Sequence, residues 1–202
     1  MEPRPDEADL LARVRKGDLA AFNPLVEHYQ TAVFNLCLRM LSTPQTAEDA
    51  TQEAFIAAYR HLEKVRGGSF RSWLFRIAAN VCYDELRRRK SRAASSLDEQ
   101  PREGERPFDA QDPSPSPEDR AEQAELRDVL ARALAAIPAD QRLAVTLCDV
   151  QGLDYSEIAE VMQCSLGTVK SRIARGRLRL RAILLARREL LPSRFRPTSE
   201  KS

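Results

Sequence analysis

Aromatic and cationic side chains recur at helical spacing between residues 73 and 90, a combination suited to binding nucleic acid. Rings stack on exposed bases, and cations neutralise the phosphate backbone of a single strand. The basic run Arg87-Arg-Arg-Lys90 directly continues this face. The alternative interpretation is a tryptophan that anchors a core, followed by a solvated helix end. The residues of this face are Trp73, Arg76, Asn80, Tyr83 or Asp84, and Arg87.

The carboxyl-terminal part of the sequence separates its charges. Residues 166–196 contain ten Lys or Arg and one acid, whereas residues 118–165 contain ten Asp or Glu and four Arg. A solvated helix face rarely needs so much charge of one sign, so this segregation favours a surface that binds a polyanion. The overall net charge of +2 conceals it.

Two short helices joined by a tight turn are predicted where the basic segment begins. Asp154 and Glu157 form a capping-box pattern, and Ser165 is placed to cap the next helix after a turn at Gln163 and Cys164. Such a helix-turn-helix reads base edges in the major groove of duplex DNA with its second helix. A basic surface helix without a specific ligand is the alternative. The stripe expected to face the core comprises Leu166, Val169, Ile173, Leu180 and Leu184.

A helix predicted over residues 46–64 carries a polar face with one apolar residue, which suits a protein partner better than DNA. Thr46 is its predicted cap, and Phe55, Tyr59 and Leu62 form its predicted buried stripe. A solvated helix face is the alternative. The residues of the polar face are Asp49, Gln52, Glu53, Ile56 and Arg60.

Helical periodicity and a glycine count of only seven predict an all-α fold. Two small helical domains, residues 1–90 and 118–191, are expected on either side of a flexible, acidic, proline-rich linker over 91–117, with a tail over 192–202. Pro24 interrupts the helix expected over 19–41, and Asn23 is placed to cap a restart. The other helices are predicted over 6–16, 46–64, 69–90, 118–136, 139–150, 155–162 and 166–189.

The composition argues against several classes of protein. No apolar run approaches the roughly 20 residues of a membrane-spanning helix, and the amino terminus lacks a signal-peptide pattern, so a cytoplasmic protein is expected. The four cysteines and two histidines lack metal-ligand spacing, so buried reduced thiols and no metal or cofactor are expected. No catalytic residue is predicted, because no nucleophile elbow, phosphate loop or paired acid and base is present.

Three stretches of the sequence resemble the extracytoplasmic-function (ECF) group of bacterial RNA polymerase sigma factors. GLDYSEIAEVMQCSLGTVKSRIARGR, residues 152–177, resembles region 4, which binds the minus-35 promoter element, although other helix-turn-helix factors share this pattern. AEDATQEAFIAAYR, residues 47–60, resembles region 2.2, which docks on the polymerase. GSFRSWLFRIAANVCYDELRRRK, residues 68–90, resembles regions 2.3 and 2.4, which melt the minus-10 element and capture flipped bases.

This resemblance implies a sigma factor that binds core RNA polymerase, promoter DNA and an anti-sigma factor, without inserting into a membrane. The expected polymerase contacts are the clamp helices of the largest subunit and the flap of the second-largest subunit. The implied docking residues are Asp49, Gln52, Glu53, Ile56 and Arg60. The implied minus-10 residues are Ser69, Trp73, Arg76, Asn80, Tyr83, Asp84, Arg87 and Arg88. The implied minus-35 residues are Ser165, Thr168, Lys170, Ser171, Arg172, Ala174, Arg175 and Arg177.

Two other functions stay open on the sequence. A dimeric helix-turn-helix regulator would need a ligand or phosphorylation domain and a dimer interface, which residues 1–90 do not recognisably supply. A nucleic-acid enzyme is the second alternative. In the sigma family the linker threads the polymerase cleft, so the acidic residues of this linker are hypothesised to imitate RNA there. These residues are Asp98, Glu99, Glu103, Glu105, Asp109 and Asp112. A solvated spacer is the alternative interpretation of this segment.

Overall fold

The computed structural model describes residues 6–64, 69–95 and 117–186, and every regular element among them is helical, which confirms the all-α prediction. Most of the predicted linker, with its six acidic residues, and the tail lie outside these ranges. The amino-terminal helices are α1 (Glu7–Arg15), α2 (Asn23–Leu41), α3 (Pro44–Arg60) and α4 (Phe70–Ser95). The carboxyl-terminal helices are α5 (Pro117–Ala135), α6 (Ala139–Val145), α7 (Tyr155–Met162) and α8 (Leu166–Ala186). Shorter turns are the 3-10 segments Leu19–Phe22 and Leu62–Lys64 and the π turn Thr146–Val150.

The helix expected from residue 19 is split by Pro24. Leu19–Phe22 forms a 3-10 turn, and α2 then begins at Asn23 with the proline in its first turn. A proline is tolerated there because the first amides of a helix have no partner within it. Phe22 occupies the N-cap position, so Asn23 starts the helix and does not cap it.

The ends of α3 and α4 also differ from the prediction. α3 begins at Pro44 after Thr43, so Thr46 lies within the first turn, where its hydroxyl donates to the Thr43 carbonyl at 3.1 Å. α4 continues to Ser95, five residues into the predicted linker. No proline or glycine follows residue 90 until Pro101, so nothing in the local chemistry stops the helix at residue 90.

The amino-terminal module, α1 to α4, is organised around α2, which packs against both α3 and α4. α3 approaches its neighbours through small side chains, since Ala47, Ala54 and Ala58 are fully buried. The predicted stripe of α3 is wrong at Tyr59, which is 39% exposed and lies edge-on to the ring of Phe22 at a centroid distance of 5.4 Å. The buried surface of α3 is therefore mainly an alanine face.

The caps predicted for the helix-turn-helix are confirmed. The Asp154 carboxylate accepts the Glu157 amide at 2.8 Å, and the Glu157 carboxylate accepts the Asp154 amide at 2.9 Å. Gln163 ends α7 in the left-handed region at φ 50°. Ser165 then precedes α8 and caps it, since its hydroxyl accepts the Thr168 amide at 3.2 Å. Local sequence chemistry thus places the start of α8 correctly.

α8 meets α6 at a glycine that hydrophobic periodicity does not single out. Leu166, predicted to face the core, is 49% exposed, whereas Gly176 is buried. A Cβ atom at Gly176 would lie 2.6 Å from Cγ2 of Val145 and 3.2 Å from the backbone oxygen of Gln141. The absence of a side chain is what allows the two helices to approach this closely.

Gly176→Ala is therefore expected to lower the free energy of unfolding by about 1–3 kcal/mol, the usual cost of overpacking a filled site. Gly167→Ala is the matched control in the same helix, because a Cβ there would meet only the Ser165 hydroxyl at 3.8 Å. That control is expected to stay within ~1 kcal/mol of the parent. Urea unfolding followed by circular dichroism measures both variants, and equal stability of the two would contradict the close-packing role of Gly176.

The amino-terminal module packs against the carboxyl-terminal module, α5 to α8, along a contact that we call the seam. The buried core is continuous across it. α7 lies on α4, and α2 contacts both α5 and α6. Across this seam Nη1 of Arg142 donates to the Met40 carbonyl at 2.6 Å, and Nε2 of Gln151 donates to the Ala32 carbonyl at 3.0 Å. Arg71 donates to the Gln151 carbonyl from the other side. No sequence pattern indicates this seam.

The four cysteines occupy two kinds of environment. Cys37 and Cys82 are fully buried as neighbours between α2 and α4, whereas Cys148 and Cys164 are only partly buried, so the burial prediction holds for the first pair alone. In the described ranges no helix is both long and apolar enough to cross a membrane. The same ranges contain no group of three or more acidic, histidine or cysteine side chains that would hold a metal ion.

Candidate functional site

The predicted minus-10 residues lie along one helix. Ser69 immediately precedes α4, where its hydroxyl accepts the Ser72 amide at 3.4 Å, and the other seven belong to α4 itself. Steps of three or four residues place successive members on the same side of an unbroken helix. Asn80 is exposed near the middle of this side, and Arg87 and Arg88 are exposed toward its end. The helix thus combines a polar centre with a cationic end.

Trp73 is both anchored and accessible. Its ring lies 5.7 Å from that of Phe70 at an interplanar angle of 34°, and Phe70 in turn packs edge-on against Tyr29 at 5.6 Å. The indole is only partly buried. The indole therefore packs against the core, and its partial exposure is compatible with the stacking interpretation, which stays a prediction.

The basic end of α4 contains a carboxylate that the sequence analysis did not single out. Glu85 lies within ion-pair distance of Arg88 at 3.7 Å, Arg89 at 3.0 Å and Arg92 at 3.4 Å. Spacings of three, four and seven residues were the available signal for this cluster. Glu85 is the less exposed partner in each pair, and it restricts where these guanidinium groups lie.

Arg88 also links the α4 surface to α3. Its Nη2 atom lies 3.9 Å from Oε1 of Glu53, which belongs to the predicted docking face. Asp84, another predicted minus-10 residue, forms an ion pair with Arg87 one turn along α4. Two of the predicted DNA-binding cations therefore have carboxylate neighbours that a phosphate would have to replace.

α3 presents its predicted docking face to solvent. Ile56 is 52% exposed, which is high for an aliphatic side chain on a packed helix. An apolar side chain surrounded by polar ones is typical of a surface that a protein partner covers. The exposed polar residues around it are Asp49, Gln52, Glu53 and Arg60.

The outward face of α8 contains free cations. Lys170, Ala174 and Arg175 are exposed, and the two cations form no ion pair with the described residues. Thr168 and Ser171 lie one turn apart, and the Ser171 hydroxyl donates to the Thr168 carbonyl at 2.9 Å. A helix with exposed cations and short polar side chains fits the major groove of duplex DNA.

Two predicted minus-35 arginines are held by acids of the same module. Nε of Arg172 lies 3.0 Å from Asp140, and Arg177 donates two hydrogen bonds to Asp149, one of them at 3.0 Å. These hydrogen bonds hold the pKa of the Asp149 carboxyl below its usual value. Because each acid lies about thirty residues before its arginine, only the folded module brings them together.

Comparison with known proteins identifies the family to which these surfaces belong. The Sigma-70 region 2 family model matches residues 25–92, and the Sigma-70, region 4 family model matches residues 127–180. The ECF RNA polymerase sigma-E factor of Escherichia coli (strain K12) is 42% identical over 170 residues, which cover 83% of this chain and 88% of that protein. The chain belongs to the ECF family of RNA polymerase sigma factors.

Other relatives of this ECF sigma factor agree. The RNA polymerase sigma-H factor of Pseudomonas aeruginosa is 39% identical over 176 residues, covering 85% of this chain and 90% of that protein. The sigma factor RpoE from Bartonella quintana, solved in complex with the anti-sigma factor NepR, aligns at a TM-score of 0.66 and 26% identity over 81% of this chain and 96% of that one. CnrH, solved with the cytosolic domain of CnrY, aligns at 0.62 and 26% identity over 88% and 96%. The dimeric-regulator alternative is not favoured.

Proposed function

We propose that this ECF sigma factor binds core RNA polymerase through the exposed face of α3 and directs it to promoters by reading DNA with α4 and α8. The observation that carries this proposal is the arrangement along α4, where the anchored indole of Trp73, the exposed amide of Asn80 and a cationic end share one helix. Such a surface fits an opened strand, whereas the exposed Lys170 and Arg175 of α8 fit duplex DNA.

The binding energy of these contacts with polymerase and DNA then promotes transcription initiation, and this chain performs no covalent reaction in the proposal. Flipping a base costs a few kcal/mol, which stacking and a preformed surface offset, while the polymerase supplies catalysis. The proposed contacts on polymerase are the clamp helices of the largest subunit and the flap of the second-largest subunit. An anti-sigma factor is a further proposed partner, supported by the structural relative RpoE, which was solved in complex with the anti-sigma factor NepR. The proposed place of action is the cytoplasm, where polymerase and promoters are found.

Reconstitution with core polymerase tests this function. Duplexes selected by the holoenzyme from a random library are used as run-off templates, with core polymerase alone and the chain alone as controls. We expect discrete transcripts only from the holoenzyme. A chain that binds duplex DNA but neither co-purifies with core polymerase nor produces a defined start would overturn the sigma assignment in favour of an ordinary DNA-binding regulator.

Strand opening should depend on Trp73 and Asn80. Replacing either by alanine is expected to slow opening about 10- to 100-fold, since stacking on the ring of Trp73 contributes about 1–3 kcal/mol per base and a good hydrogen-bonded base contact from Asn80 contributes about as much. A template already mismatched at the minus-10 element should rescue Trp73→Ala more than Asn80→Ala. Trp73 is proposed to act as a wedge that separates the two strands at the upstream edge of the opened region, and a mismatched template no longer needs that wedge. Asn80 would contact a captured base on either template.

Permanganate reactivity of thymines downstream of the minus-10 element, which are paired at the start on both templates, measures strand opening. Circular dichroism accompanies it, because Trp73 also packs on Phe70 and a loss of helical content would reveal damage to the core. Equally poor rescue of both variants by the mismatched template would contradict the role of Trp73 at the fork, and a loss of helical content would then assign Trp73 to packing.

A further inference from the structure

One acid of the carboxyl-terminal module binds a predicted minus-35 arginine along a single edge of its guanidinium group. Nε of Arg177 donates to Oδ2 of Asp149 at 3.0 Å, and Nη2 donates to Oδ1 of the same carboxylate. Because this pairing is bidentate, it fixes the plane of the guanidinium group as well as its position. The side chain of Arg177 is 50% exposed and that of Asp149 is 37% exposed. The pair is therefore accessible to a ligand from solvent.

The end of the Arg177 guanidinium is open. Nη1 has no hydrogen-bond partner among the described residues, and Nη2 additionally lies 3.5 Å from the sulfur of Cys148. A thiol is a weak acceptor, which a phosphate oxygen readily replaces. Arg177 can therefore donate to a phosphate through its terminal nitrogens while it remains bound to Asp149.

Two other paired arginines that are predicted to bind DNA differ in this respect. Both terminal nitrogens of Arg88 lie toward carboxylates, at 3.7 Å and 3.9 Å, so a phosphate has to compete with an acid for each of them. Nε of Arg172 lies 3.0 Å from Asp140, but the side chain of Arg172 is only 28% exposed. Of these three arginines, Arg177 is the one that combines a fixed plane with an exposed, open end.

Asp149 is itself held by an unusual turn. Residues Thr146–Val150 form a π turn, in which the Gln151 amide donates to the Thr146 carbonyl at 3.0 Å. Thr146 and Leu147 are fully buried, so the turn is fixed to the core. A π turn contains one residue more than an α-helical turn, and such turns are rare and are frequent at functional sites. The core thus fixes Asp149, and Asp149 fixes the guanidinium group of Arg177.

Two opposing effects decide how Asp149 influences DNA binding. An arginine that is ordered before binding avoids the entropy loss of ordering a flexible side chain, which corresponds to about 2- to 10-fold in affinity. The carboxylate also repels a phosphate on the far side of the guanidinium group. At a separation of roughly 6 Å in water, screened by physiological salt, that repulsion weakens binding by less than about 2-fold. The ordering effect is therefore the larger one.

We propose that Asp149 is a positioning residue for DNA binding, which fixes Arg177 so that its open end donates to a phosphate of the minus-35 duplex. This inference rests on the proposed function of α8. It predicts the opposite of what net charge alone predicts, because removing an acid near DNA should here weaken binding.

Titration of the full chain with a selected minus-35 duplex, followed by fluorescence anisotropy, tests this role. We expect Asp149→Ala to raise the Kd about 3- to 10-fold, although the variant has lost a negative charge. A scrambled duplex should lose affinity by a similar factor, because a phosphate contact is independent of sequence. Glu160→Ala, which removes an exposed acid of α7, is the matched control for net charge and should not weaken binding.

A double-mutant cycle shows whether the effect depends on Arg177. Arg177→Ala should weaken binding and reduce the slope of log K against log salt by about one. In that background Asp149→Ala should cause no further weakening. Arg177→Lys retains the charge but cannot be held in a bidentate pair, so it should weaken binding about as much as Asp149→Ala. This second variant decides the question if circular dichroism shows that Asp149→Ala loses helical content.

Unchanged or tighter binding by a folded Asp149→Ala chain would overturn the positioning role, as would parental affinity of Arg177→Lys. Equal weakening by Asp149→Ala with and without Arg177 would also overturn it, since the effect would not depend on the arginine. Failure of the proposed function gives a different result. If α8 does not bind DNA, Lys170→Ala and Arg177→Ala leave duplex binding unchanged as well.

Discussion

We expect a chain carrying Asp49→Lys and Glu53→Lys to lose promoter-directed transcription. Both residues are exposed on α3 beside Ile56. Glu53 also lies 3.9 Å from Nη2 of Arg88, an exposed ion pair whose loss costs little stability. Reversing two charges at a complementary interface introduces repulsion as well as removing attraction, so the affinity for core polymerase should fall about 100-fold or more. Fluorescence anisotropy with labelled core polymerase measures the affinity, and run-off transcription measures its consequence.

The matched control reverses Glu27 and Glu63, two exposed acids of the same module outside α3. It changes the net charge equally, so a general electrostatic effect would weaken both double variants alike. Binding of duplex DNA through α8 should be unchanged in either chain. Assembly of the α3 variant with polymerase at parental affinity would show that docking occurs elsewhere.

Removing the exposed cations of α8 should have the second large effect. Lys170→Ala and Arg175→Ala are each expected to cost ~1–3 kcal/mol of binding to the minus-35 duplex, and a residue that reads a base edge should also relax preference at that base position when it is removed. Removing a residue that contacts a phosphate would instead weaken binding to all sequences alike and reduce the salt dependence of binding. Affinity for core polymerase should stay near that of the parent, because neither residue lies on α3.

Arg179→Ala is a useful comparison in the same helix. Arg179 is exposed, but its Nη1 atom donates to the Gln141 side chain at 2.9 Å, so it is attached to α6. Competition titrations with a selected duplex and a scrambled one separate specific from non-specific binding. If Lys170→Ala and Arg175→Ala bind both duplexes as the parent does, these residues have no part in reading DNA.

Local chemistry made several features of the site predictable. The reciprocal bonds of Asp154 and Glu157 and the cap at Ser165 involve residues only three positions apart, so short-range spacing is enough to position α7 and the start of α8. Helical spacing likewise placed the polar face of α3 on one exposed side. Pro24 was recognised as a break, although the cap proved to be Phe22 because the preceding residues form a 3-10 turn.

Other features depend on neighbours that are distant in the sequence. In the sequence, a glycine at residue 176 indicates only a residue that is unfavourable within a helix. In the structure it is buried, because Val145 of α6 lies within the space that a side chain would occupy. Hydrophobic periodicity placed Leu166 in the core, but Leu166 is the first residue of α8 and is 49% exposed, whereas Val169, one turn later, is fully buried. Hydrophobic periodicity shows which side of a helix is apolar, but it does not show how far along that helix the neighbouring helix extends.

The helices, the caps of the helix-turn-helix, the family and the three groups of residues proposed to meet polymerase and DNA could all be read from the order of the amino acids. Each follows from short-range spacing or from motifs contained within one helix. The pairing of Arg172 and Arg177 with acids, and the place of Arg142 between the ends of α2 and α5, emerge only in the folded chain. Arg142 contacts a carbonyl 102 positions away, and backbone acceptors carry no side-chain signature, so no pattern of residue types reveals that contact before the chain is folded.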